Sequence, residues 1–168
     1  METQSELFTQ ILLSLTNLAV LPDWHHHFHS LLPVLLEILT SDNDAASDKM
    51  RYQASRLLVN LTSHDANISH ILNTKLPGHV SKLISRGIQQ DQLLRNVTFL
   101  SNVICSSLRL AVLDLKALKS GCNGEFDDGK LLSKLIDPFL LKEAIWLADN
   151  HKNSDVRMQS RKIRVALS

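Results

Sequence analysis

Glycine and proline are scarce, at 5 and 4 residues in a chain of 168. That leaves too little turn chemistry for the many hairpins of an all-β fold, and too few glycines for phosphate-cradling loops. Aromatic residues make up only 5%, so no series of rings is on hand to stack nucleic-acid bases. Neither sign of charge dominates. With 18 Lys and Arg against 17 Asp and Glu the formal net charge is +1, whereas a phosphate-reading surface needs a basic excess. The expected partners therefore include no nucleic acid. No run of about 18 apolar residues occurs, so no direct membrane insertion by this chain is expected, and the N-terminus lacks the basic-then-apolar order of a signal peptide. The two cysteines, Cys105 in an apolar stretch and Cys122 in a loop-like Gly-Cys-Asn-Gly segment, have no framework spacing and point to a reducing compartment. Asn-X-Ser/Thr triplets at Asn60, Asn67 and Asn96 read as accidental, because two of them fall inside helical apolar patterns.

What the chain does have is apolar residues, 44% of the total, enough for one helical domain over residues 1–168 with a real core. It also has a repeat. Leu15-Thr16-Asn17-Leu18, Leu58-Val59-Asn60-Leu61 and Leu100-Ser101-Asn102-Val103 match, with the asparagines 43 and 42 residues apart. Leu32-Pro33 with Leu36 and Leu39 reappears 44 positions on as Leu76-Pro77 with Val80 and Leu83. Proline near a helix start costs nothing, since the first amide has no intrahelical partner, so each Leu-Pro opens a helix. A fourth, degenerate copy is Arg157-Met158-Gln159 with Val165-Ala166-Leu167, the counterpart of Arg51-Tyr52-Gln53 with Val59-Asn60-Leu61. Terminal repeats face solvent and are commonly atypical, which accounts for Ala166 in place of the asparagine.

The period falls in the range of roughly 40–47 residues that marks HEAT and armadillo helical repeats. Apolar stripes at helical spacing place long helices near residues 5–20, 47–63, 90–106 and 154–167. Shorter helices cover 23–30, 32–39, 65–73 and 77–85, and Ser41–Asp44 is a polar loop. Short, medium and long helix in each repeat is the three-helix armadillo plan. Gly121, Gly124 and Asp127-Asp128-Gly129 mark an insertion loop near 108–129, the helical pattern breaks again at Asp137-Pro138, and Asn153 is the N-cap of the last helix. The fold class is all-α: an armadillo-type right-handed α-solenoid of about three repeats, with a partial first repeat and a degenerate C-terminal cap. Opening on a long helix points to an upstream segment, or to Met1–Glu6 as a minimal cap.

The recurring asparagine is the most informative polar feature. A helix interior disfavours Asn, so three copies at one position need a reason. Stacking turns one position per repeat into a row, and an amide carries both donor and acceptor for an extended partner backbone. The equal alternative is that each Asn binds neighbouring helices or loops and serves packing. On the same face Arg56 and Arg95 offer charge to acidic side chains. The partner-binding candidates are thus Asn17, Asn60, Asn102, Arg56 and Arg95.

His25-His26-His27 with His29 invites a metal reading, since His25 and His29 are four apart, but no carboxylate or thiolate cluster joins them at ligand spacing. The plain reading is a short helix with Trp24 and Phe28 packed inward and the imidazoles partly exposed. Arg157, Arg161, Lys162 and Arg164 read as a solvated basic face or a contact for acidic partner residues. No GxSxG, P-loop or GxGxxG motif is present. No enzyme activity, metal or cofactor is expected.

In their order and period, Leu12–Val20 (LLSLTNLAV), Leu31–Leu39 (LLPVLLEIL), Leu57–Thr62 (LLVNLT) and Leu93–Val103 (LLRNVTFLSNV) resemble the armadillo-like domain of the X-linked armadillo-containing and G-protein-coupled-receptor-associated sorting protein family. The resemblance implies a protein-binding adaptor. It also implies, as partners, the Miro and trafficking-kinesin adaptors of mitochondrial transport, or receptor tails in sorting. The expected location is the cytoplasm, or the cytosolic face of the mitochondrial outer membrane if an N-terminal anchor is missing from this chain. Nuclear-import receptors, by contrast, place Trp four residues before the ladder Asn, where this chain has Leu13, Arg56 and Thr98. The expected function is a scaffold binding a peptide or helical segment along the long-helix face. Self-association is the second reading in that class, and a metal-regulated or enzymatic domain centred on His25–His29 is the alternative outside it.

Overall fold

The computed structural model of the chain describes residues 2–41, 48–74, 76–85, 88–119 and 138–167. Helix α1 spans Glu2–Leu18, followed by a 3-10 segment at Pro22–Leu31 and α2 at Leu32–Thr40. Helix α3 (Asp48–Leu61) leads through a 3-10 turn at Asp65–Asn67 into α4 (Ile68–Leu72) and α5 (Leu76–Leu83). Then come α6 (Gln90–Lys119), α7 (Pro138–Asn150) and α8 (Ser154–Leu167). Among the described residues there is no strand.

Local chemistry sets the boundaries. Leu21, which precedes Pro22, is held extended at φ −94° and ψ 114°, as the proline ring requires of its neighbour, and α1 stops short of it. Pro33 sits in the first turn of α2, where a missing N–H is harmless. Asn153 caps α8 as expected, its Oδ1 accepting from the N–H of Asp155 at 2.8 Å and of Val156 at 3.3 Å.

Packing arranges these helices in two layers. The long helices form a row in which α1 packs on α3, α3 on α6 and α6 on α8. Behind them α2 covers α3, α4 and α5 lie against α6, and α7 covers α8. Leu35 and Leu36 of α2, Leu57 and Leu58 of α3, and Val97 and Leu100 of α6 are among the buried side chains between the layers. Each such side chain contributes about 1.5–3 kcal/mol of transfer free energy. No single repeat could bury its apolar stripe alone, so the all-α solenoid is held by repeat-on-repeat stacking.

Two expectations are corrected. The insertion loop does not begin near 108, because α6 continues to Lys119. No glycine or proline interrupts that stretch, and Leu108 and Leu110 still pack against the core. The rest of the expected loop, with Cys122, lies outside the described residues, as does most of the polar loop after Ser41. The second correction concerns Trp24, which is exposed, while His25 is buried beside Phe28. In a 3-10 segment, positions three apart share a face, so His25 and Phe28 point together and Trp24 does not.

Candidate functional site

The long-helix row brings the predicted asparagines onto one face and gives two of them definite partners. Asn60 Nδ2 donates to the carbonyl of Thr16 on α1 at 3.0 Å, and Asn102 Nδ2 donates to Thr62 Oγ1, just after α3, at 3.2 Å. Each therefore ties its helix to the preceding long helix. The Oδ1 of each takes no partner among the described residues, and both side chains are half-buried at the surface. Asn17, at the start of the row, is exposed, and its side-chain amide bonds to nothing among the described residues.

Arg56 and Arg95 meet on a residue that sequence reasoning did not select. Arg95 Nη2 donates to Tyr52 Oη at 2.6 Å, with its guanidinium carbon 4.5 Å from the ring centroid. Arg56 lies 6.0 Å from the same centroid and donates to Gln53 Oε1 at 3.3 Å. Two cations on one ring are held by its quadrupole, which fixes their direction at the surface. The signal was available: Tyr52 stands four residues before Arg56 and one repeat length before Arg95. Arg95 also lines a cleft of about 240 Å³ between α3, α6 and α8, with Val59, Thr98, Met158 and Gln159. Arg95 Nε and Gln159 Oε1 are buried without a partner among the described residues, a cost that a polar group reaching the cleft would offset. A larger groove of about 770 Å³ opens where α3 and α6 begin, with Tyr52, Gln53, Gln92 and Lys82 on its walls.

On the outer layer the histidines make a joint. Asn67 Nδ2 donates to His25 Nδ1 at 2.6 Å and to the carbonyl of Leu61 at 2.7 Å, while its Oδ1 accepts from His29 Nε2 at 2.9 Å. His25 Nε2 completes the chain by donating to the carbonyl of Ala19 at 2.8 Å. Both tautomers are assigned by this network. His64 packs edge-on against His25 at 4.9 Å, and His70 stacks on His29 at 3.7 Å between ring centroids. Desolvation, and then the charge of His29, lower the pKa of His70 from 6.5. Both ring nitrogens of His25 thus hold protein atoms, and His25 with His29 acts as an inter-repeat connector. Among the described residues no group of three or more His, Cys, Asp or Glu side chains could hold a metal ion. Asn67 and Asn96 are buried, which leaves no room for a glycan on either.

The basic run divides. Arg157 Nη1 donates to the carbonyls of His151 and Lys152, and Arg164 pairs with Asp149 at 3.0 Å. Arg161 and Lys162 are exposed. They flank a shallow apolar groove of about 550 Å³ with Met158, Val165 and the exposed Cys105. Among the described residues no helix is long and apolar enough to cross a membrane.

Comparison with known proteins agrees with this architecture. Neither the curated proteins nor the solved structures give a match. A family model described as armadillo-like matches residues 2–122, from the first long helix to beyond the end of α6. The chain belongs to the armadillo-like family.

Proposed function

We propose that the chain is a non-enzymatic scaffold that binds a protein segment along the face of α1, α3, α6 and α8. The observation that carries this reading is the Arg56–Tyr52–Arg95 cluster beside the cleft between α3, α6 and α8. Directed cations, an aromatic ring and adjacent concave space suit a segment with acidic side chains. The free Oδ1 atoms of Asn60 and Asn102 accept from the partner's backbone amides, and Asn17 extends the row. Because the Asn60 and Asn102 amides already bridge helices, these two residues serve packing as well as recognition.

The resemblance of the Leu-rich elements to the X-linked armadillo-containing and receptor-associated sorting family names the first partners to try: Miro and trafficking-kinesin adaptors, or receptor tails. It also supports a site of action in the cytoplasm or on the cytosolic face of the mitochondrial outer membrane. Affinity capture from cytosolic and mitochondrial fractions tests the surface. Proteins held by the wild type should be lost from an Arg56→Glu/Arg95→Glu variant and kept by Glu37→Lys, a change on the exposed side of α2. Capture of the same proteins by a folded Arg56→Glu/Arg95→Glu variant would show that this face is not used.

A further inference from the structure

The free edge of α1 carries an apolar stripe. Leu7, Ile11 and Leu18 are 60%, 44% and 39% exposed, and their spacing of four and seven residues puts them on one side of the helix. The opposite side holds Leu12 and Thr16, buried toward α3. The stripe therefore points away from the solenoid, where a preceding long helix would stand in an uninterrupted row.

Asn17 identifies what such an edge accepts. At the α1–α3 and α3–α6 steps of the row the equivalent asparagine donates to the preceding long helix or the residue after it. Asn17 has the same position, and its side chain has no partner among the described residues. The edge is thus fitted for one more long helix of the same kind. Charge says which. Residues 1–48 contain seven Asp and Glu and no Lys or Arg, while residues 49–168 contain all 18 Lys and Arg against ten acidic residues. A chain of net charge +1 is therefore acidic over its first 48 residues, at −7, and basic over the rest, at +8, and its last helix carries Arg157, Arg161, Lys162 and Arg164 against Asp155. At the far end, α8 presents Met158 and Val165, 49% and 71% exposed, flanked by the exposed Arg161 and Lys162, which have no partner among the described residues.

We propose that this protein associates head to tail, the α8 ridge of one copy docking on the α1 stripe of the next and accepting the Asn17 amide, so that the long-helix row runs on from copy to copy. Apolar side chains meet apolar side chains, and the basic end meets the acidic end. The contact is heterologous, using different patches on the two copies, so it extends rather than closing as a two-fold dimer. This inference shares Asn17 and Met158 with the proposed binding face, but its test reads the mass of the chain alone, so its failure is distinguishable from a failure to capture another protein.

Sedimentation of the whole chain from low micromolar to several hundred micromolar, at low and high salt, provides the test. The weight-average mass should climb to at least about twice that of the monomer, and added salt should reverse the climb because it screens the opposed ends. Ile11→Glu/Leu18→Glu, or Leu7→Glu on the same stripe, blocks one edge, and Arg161→Glu/Lys162→Glu blocks the other. All are exposed positions, and circular dichroism checks their fold. Each variant alone should stay monomeric, whereas an equimolar mixture of one from each edge should form a 1:1 dimer and stop. A wild type that remains monomeric throughout overturns the proposal. So does a mixture that fails to pair, or a single-edge variant that still self-associates, since either would locate the contact elsewhere.

Discussion

Two asparagine junctions hold the first two repeats together, and they differ in kind. On the inner face, Asn60 makes one hydrogen bond to the helix before it and remains half-exposed. On the outer layer, Asn67 is 2% exposed and holds two histidines and a main-chain carbonyl at once. The inner bond recurs at the next step, through Asn102, and in both places leaves an Oδ1 acceptor without a partner among the described residues. Among the described residues the outer hub occurs once, and it leaves no side-chain polar atom of Asn67 without a partner. A residue that recurs at a surface step can bridge helices and still present an atom to a partner. A residue that satisfies several buried groups is committed to the fold, because an unmet polar atom inside costs more than the bond itself contributes.

That contrast is sharpest in stability. Asn67→Ala should destabilise by about 3 kcal/mol, since it strands His25 Nδ1 and the Leu61 carbonyl in a buried site. For a chain of this size that lowers the melting temperature by roughly 6–12 °C, measurable by circular dichroism. A loss no larger than that of the inner asparagines would show the hub to be ordinary. Asn60→Ala and Asn102→Ala should each cost about 1 kcal/mol, the typical net worth of one hydrogen bond. Asn17→Ala, measured in dilute solution, should stay within about 0.5 kcal/mol of wild type. A large effect at Asn17 would mean that α1 has a neighbour even in the monomer.

The smallest effect concerns pH. The folded chain holds His70 below its ordinary value of 6.5, through desolvation first and then the charge of His29. As pH falls through 6.5 the unfolded chain takes up the proton before the folded one does. The stability present above that value is therefore lost, levelling off once folded His70 is also protonated. Because His70 is exposed, the decline is shallow. Melting temperatures at neutral and mildly acidic pH should differ less for His70→Gln than for wild type, and equal slopes would remove His70 from the outer joint.

Much of the fold was legible because repetition is a one-dimensional property. Asn17, Asn60 and Asn102 at a constant period, Leu-Pro at two helix starts and Asn153 before the last helix are local or periodic signals, and local chemistry acts on them directly. The legible part of the candidate site stopped at types and faces. Arg56 and Arg95 were picked out, but not the tyrosine that unites them, since their contact crosses from α3 to α6. Asn67 read only as part of an accidental triplet, because it has no counterpart at the repeat distance. The glycine-rich segment suggested a loop from 108, while the helix holding Leu108 and Leu110 against the core runs through to Lys119.

The sequence by itself determined the helical class, the repeat and the row of long helices, because hydrophobic period and helix punctuation are written residue by residue. It also contained the separation of charge between the first 48 residues and the rest. Only the tertiary structure decided what each polar side chain does. It placed Asn60 and Asn102 across helix joints, locked His25 and His29 onto Asn67, and left Asn17 and the α1 stripe uncovered at the end of the row. The physical reason is that a hydrogen bond or a buried face depends on which repeats become neighbours, and that choice is made by packing between elements some 40 residues apart.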